Sequence, residues 1–274
     1  MADAAGNTNS KTRTVTVTGA RSVDLNATVA MDMLWCPPGT FTMGSPTGEA
    51  GRVTDENQHQ VTLTKGFYLG KYEVTQAQYE AVMTGNTNSL SPTPSEWPNN
   101  PNRPVEKVSW NDAQVFLTRL NAAEQAAGRL PSGWAYVLPT EAQWEYACRA
   151  GTTTAYSWGN TIASSNANYN WDGTGTTGSD FKQTRDVGQY PANPWGFFDM
   201  PGNVSEWTAD WYQAAYPTGN PVIDPTGPVS GSYRVQRGGS WGIDGTILRS
   251  AKRTRHAPGG RHDSRGFRVG FLKQ

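Results

Sequence analysis

The hydrophobic positions of this chain change period several times. Residues 1–25 are polar, and Thr14 to Thr18 alternates threonine with valine as a single edge strand or arm does. Met33 to Gly44 predicts a strand, a turn at Pro37-Pro38-Gly39 and a second strand. Val61-Thr62-Leu63 and Phe67 to Val74 supply further strand material, beyond a polar loop from Ser45 to Gln60. From Thr75 the spacing becomes helical. Thr75 is placed to cap a helix through Met83. After a Pro-, Asn- and Ser-rich loop from Gly85 to Pro104, Ser109 with Asp112 predicts a second helix that buries Ala113, Phe116, Leu117 and Leu120. Thr140 with Gln143 predicts a third, carrying Trp144, Tyr146, Ala147 and Cys148. From Gly151 to Asn193 periodicity fades, and a stretch that long needs a ligand, a metal or packed aromatics to pin it.

The last forty residues interleave two textures. Arg234 to Trp241, Leu248 to Ala251 and Gly266 to Val269 are rigid, apolar or Gly-rich. Between them, 242–247, 254–257 and 259–265 are short, irregular and polar, as loops on a fixed frame are. No compositional break or internal repeat divides the chain, so a single domain over 26–274 with an N-terminal arm over 1–25 is expected.

Composition modifies this picture in four places. Only 36% of residues are hydrophobic, but 11 Trp, 11 Tyr and 8 Phe bury large areas from few positions. With 23 basic and 23 acidic residues the chain is neutral, which argues against a general nucleic-acid binder. Two cysteines, Cys36 and Cys148, make neither a disulfide framework nor a four-ligand zinc site, and a bridge between them stays open. No apolar run of about 18 residues and no signal-peptide core occur, so a soluble chain of unassigned compartment is expected.

Several stretches, in order, resemble the formylglycine-generating (sulfatase-modifying) enzymes. They are Pro38-Gly39-Thr40-Phe41 with Met43-Gly44-Ser45, Tyr72-Glu73-Val74-Thr75, Arg103-Pro104-Val105 and Val108-Ser109-Trp110. Leu138-Pro139-Thr140-Glu141, Trp144 to Ala147 and Asn193-Pro194-Trp195-Gly196 follow. Gly202-Asn203-Val204, Glu206-Trp207, Arg237 to Trp241 and Gly266 to Val269 close the set, which spans 33–271. The resemblance implies an α+β, C-type-lectin-like fold with about three main helices, several short antiparallel strands and structural calcium. Asp199 and Glu206 bracket a Gly-containing turn, and calcium takes six to eight hard oxygens, though an ordinary turn with solvated acids reads the same. The family's pattern assigns side chains at Asp199 and Glu206 and carbonyls at Gly202 and Val204. A second site would use Asn168, the Tyr169 carbonyl and an acid near Asp180.

The resemblance also implies chemistry. The family's enzymes oxidise a substrate cysteine with two copper-binding cysteines just after the Gly-Gly-Ser. Here 242–248 contains no cysteine, so no copper is expected, and thiol chemistry has no sulfur to use. Ser240 matches a family serine, and Ser205 stands where Trp is usual. His256, His262 and Asp263 are too loosely spaced for a sharp metal or acid–base motif, and His59 is isolated. A related group, the variable proteins of diversity-generating retroelements, mutates this same segment at adenines, so that AAY codons yield a restricted residue set. Every residue type at 242–247, 254–257, 259–260 and 262–265 belongs to that set.

The expected function is therefore non-catalytic binding of a protein or small-molecule ligand. Trp241, Ile243, Asp244, Thr246, Ile247, Arg255, His256, His262, Asp263 and Arg265 would make the contacts. The alternative is an oxidative enzyme of the same family with an altered active site.

Overall fold

The computed structural model describes residues 19–170, 181–216 and 219–274. The alternating stretch Thr14–Thr18 and Asp180 lie outside them. Among the described residues, three sheets and three α-helices make the domain. Strands β1 (Ala20–Asp24), β2 (Ala30–Cys36), β5 (Phe67–Gly70), β12 (Gly270–Lys273) and β6 (Trp134–Val137) form an antiparallel sheet in the order β1-β2-β5-β12-β6. The chain's last strand thus sits between elements from its first half. β3 (Gly39–Met43) and β4 (His59–Leu63) pair antiparallel, with the short β8 (Val222–Ile223) added parallel. The third sheet runs β10 (Thr254–His256), β9 (Arg234–Arg237), β7 (Ser205–Trp211), β11 (Arg265–Phe267), with β11 parallel to β7.

The helices start where their caps predict. In α1 (Gln76–Met83), α2 (Trp110–Ala126) and α3 (Glu141–Arg149), the hydroxyl of Thr75, Ser109 or Thr140 accepts the N3 amide, and the N3 side chain returns the bond. These boxes satisfy backbone donors that the first helical turn leaves orphaned. Ala113, Phe116, Leu117 and Leu120 of α2 are buried as their spacing requires, and the stripe continues to Glu124, which takes Arg129 and the Tyr136 hydroxyl.

Two apolar cores result. One joins α1 and α2 to Trp207, Phe267 and Phe271; the other joins α3 to Cys36, Val61, Phe67 and Leu69. A smaller cluster of Tyr156, Ala167, Tyr169 and Leu248 pins part of the aperiodic stretch. Packed aromatics hold it there. Among the described residues no helix is long and apolar enough to cross a membrane.

The interior also holds charge. Arg237, Arg249 and Arg268 are among the largest fully buried side chains. Arg268 grips Glu206 with two bonds, Arg237 meets Glu145, and Arg249 holds Glu49 and Glu56. Such pairs stay buried only because the partner oxygens and protons are nearly all used.

Candidate functional site

β9 delivers the chain into Gly238 and Gly239, both at positive φ (89° and 72°). A Cβ on Gly238 would stand 2.5 Å from the Met200 carbonyl, and one on Gly239 would stand 2.7 Å from Leu248. Only glycine fits this approach. Ser240, the family-matched serine, is buried beyond the turn, and the Trp241 amide donates to the Asn203 carbonyl. The 242–244 turn then leads into a 3-10 helix at Gly245–Leu248, which Asp244 caps by accepting the Thr246 amide.

Eight of the ten predicted ligand residues fall into three groups: Trp241 with His262 and Asp263, His256 with Arg265, and Asp244, Thr246 and Ile247 at the 3-10 helix. The Trp241 indole, half-buried, donates to the Asp263 carbonyl and meets Trp97 edge-on at 5.4 Å. His262 lies 2.7 Å from Asp263 and 2.8 Å from the Ser264 hydroxyl. Arg265 Nη2 lies 2.9 Å from His256 Nδ1. Burial and the adjacent Arg265 pull the His256 imidazole down to about 4, which keeps it neutral near pH 7. Thr246 borders a cleft of about 850 Å³ that is also lined by Glu49, Thr154, Tyr156, Ile162 and Arg249. Ile247 is half-buried on the same helix.

The remaining two go elsewhere. Ile243 packs inward against the Tyr156–Leu248 cluster, and exposed Arg255 lies over Tyr212. Trp97, Glu49 and Arg249 were not among the expected site residues. Trp97 and Glu49 come from loops in the first half of the chain, which no local pattern ties to this turn, and Arg249 directly follows the 3-10 helix.

The calcium expectation is overturned. Among the described residues no group of three or more His, Cys, Asp or Glu could hold a metal ion. At the first expected site an arginine already occupies the cation's role. Glu206 spends both oxygens on Arg268 and one also on the Trp144 indole; Asp199 accepts the Gly188 amide. Neighbouring Glu73 takes the Val204 amide and the Asn203 side chain. The Gly202 amide donates to Gly238, so this turn serves the Gly-Gly junction. At the second, Asn168 donates to the Gln183 and Asn203 oxygens, its carbonyl accepts the Asn203 amide, and Tyr169 is core. These residues, Asp199, Gly202, Val204, Glu206, Asn168 and Tyr169, hold the fold by direct bonds; Asp180 lies outside the described residues.

Both cysteines are free and buried. Burial raises the Cys36 thiol well above its ordinary range and Cys148 to about 11, against the pull of nearby arginines. Cys148 Sγ lies 3.6 Å from the Ser250 hydroxyl, inside the core that α3 forms. Protonated, enclosed thiols are poor nucleophiles and poor copper ligands.

Short, mostly antiparallel strands around capped helices, with a Gly-Gly-Ser turn after β9, define a C-type-lectin-like domain of the formylglycine-generating type. The sulfatase-modifying factor enzyme 1-like domain matches residues 20–270, and the chain belongs to that family. It is 30% identical to the formylglycine-generating enzyme of Mus musculus, over 86% of this chain and 74% of that one. Among solved structures it is similar to Treponema denticola variable protein 1, with a TM-score of 0.75 and 27% identity over 92% of this chain and 98% of that one. PvdO from Pseudomonas aeruginosa gives a TM-score of 0.76 and 27% identity over 92% and 97%.

Proposed function

We propose that this chain is a non-catalytic binding protein whose C-terminal face, variable in sequence, contacts a protein or small-molecule ligand. One observation carries the reading. The turn after Ser240, where the family's oxidases need two thiols, has none, and both cysteines of the chain lie buried and protonated elsewhere. The similarity to a Treponema protein named as variable supports the second half of the reading. So does the division of labour around the turn: frame residues are bonded on all sides, while Thr246, Ile247, His256, His262, Asp263 and Arg265 are exposed or half-exposed. Trp241 would be the aromatic anchor, and the polar groups around it the adaptable contacts.

The test has two arms. The chain, supplied with copper and a cysteine-containing sulfatase peptide, should bind no stoichiometric copper and leave the thiol unoxidised; turnover would establish the enzyme instead. A library varied at 246, 247, 256, 262 and 263 should fold and yield binders to different targets. A reverse transcriptase and an adenine-rich template repeat beside the gene are expected as well.

A further inference from the structure

Most arginines of the C-terminal region have a carboxylate. Arg237, Arg249, Arg253, Arg261 and Arg268 are each paired. Arg234 and Arg265 have no carboxylate in contact among the described residues; desolvation weakens both guanidiniums, with only Asp210 and Asp263 acting from a distance. The two belong to one place. In the sheet register Arg234 faces His256 on one side and Trp211 on the other, and Gln236 faces Thr254 and Trp207. Cross-strand partners and i, i+2 neighbours share a sheet face, so Arg234, Gln236 and His256 point the same way. Arg265 reaches this group through its contact with the His256 ring.

The group is built but incomplete. Arg234 is clamped between the Trp110 and Trp211 indoles at 3.8 and 3.5 Å. Its Nη1 donates to the Ala209 carbonyl at 2.6 Å, while its buried Nε has no partner. Gln236 is 1% exposed, and its amide Nε2 has no partner either. A buried donor left unpaired is destabilising, and these two lie on one face of β9 with no acceptor among the described residues. Other charged groups nearby do not meet it. Asp112 is taken by Arg261, His262 faces Asp263, and Arg255 lies over Tyr212.

We propose that Arg234, Gln236, His256 and Arg265, walled by Trp110 and Trp211, form a site for an oxyanion, a carboxylate or phosphate group carried by the ligand. Guanidinium forks match such groups in shape and charge, and a clamped fork loses little entropy on binding. Neutral His256 adds a polar contact without adding repulsion between the two arginines. The site extends the binding reading above by naming the charge of one ligand group, and it rests on that reading for its use.

The test uses the full chain and simple probes. Acetate, phosphate and sulfate are titrated against chloride at constant ionic strength, with the His256 ring resonances and the melting temperature followed. A saturable shift of His256 and a higher melting temperature are expected with at least one oxyanion. Preference for acetate would mark a carboxylate site, and preference for phosphate and sulfate a tetrahedral one. Arg265→Gln should weaken the apparent affinity at least tenfold, and Arg234→Lys should do so if Arg234→Gln disturbs the indole clamp. Indifference of His256 to all three anions, or equal affinity in Arg265→Gln, would overturn the site. Oxyanion binding with no selectable ligand at the variable positions would sink the binding reading and leave the site standing.

Discussion

Arg234 and Arg237 lie on the same four-residue strand and live in opposite worlds. Arg237 is sealed in the interior, joined to Glu145 and beside Glu141, with a further bond to the Lys252 carbonyl. Burial opposes ionisation of Glu145, but Arg149 and Arg237 outweigh it and hold that carboxyl below its usual range. Arg234 is half-buried, held by two indoles, and answered by no acid in contact. The contrast divides the whole region. Where a carboxylate meets the guanidinium the chain is frame, although the Arg237 Nε is itself without a hydrogen-bond partner; where no carboxylate does, the chain is available to something else.

Substitution should expose that division most strongly at the frame. Arg237→Met leaves Glu145 to Arg149 alone and Glu141 to Arg253, and should cost about 3 kcal/mol in urea unfolding. Arg234→Gln strands no acid and loses mainly indole contact, so a cost of roughly 1–2 kcal/mol is expected. Equal losses would erase the distinction.

Asp210 tests the frame from the other direction. Burial, reinforced by Glu141, raises its carboxyl to about 7, against the Glu141 amide bond and Arg253. A raised folded value means the native state holds a proton that the unfolded chain releases near 4. This group's contribution is therefore complete below pH 4 and is lost as pH climbs toward 7. Asp210→Asn can still accept the Glu141 amide but cannot ionise. The variant should gain on the order of 2–3 kcal/mol over wild type between pH 5 and pH 8. A pH-independent difference would refute the assignment.

Gly238→Ala places a methyl against the Met200 carbonyl at positive φ and should cost about 1–3 kcal/mol, read as a lower melting temperature. The smallest effects belong to the face. Ile247→Thr and Arg255→Ser should each stay within about 0.5 kcal/mol, since neither position is a buried partner of the frame. Large losses there would mean the surface is not free to vary.

Much of this was legible along the chain. Thr75, Ser109 and Thr140 marked three helix starts because capping is a local hydrogen-bond exchange over three residues. The Gly238-Gly239 turn and the missing thiols at 242–248 were likewise local facts of composition. The calcium expectation failed for the opposite reason. Asp199 and Glu206 look available when read in sequence, and only the fold brings Arg268, more than sixty residues on, into bidentate contact with Glu206. Trp97 beside Trp241, and Arg234 beside His256, were equally invisible.

The amino-acid order alone determined the caps, the strand and helix periods, the glycine turn and the absence of sulfur after Ser240, because each depends on neighbours within a few bonds. The tertiary structure alone decided which acids meet arginines and which arginines are left without one. Ion pairing in an interior depends on distance and desolvation together, and neither exists until distant strands have packed.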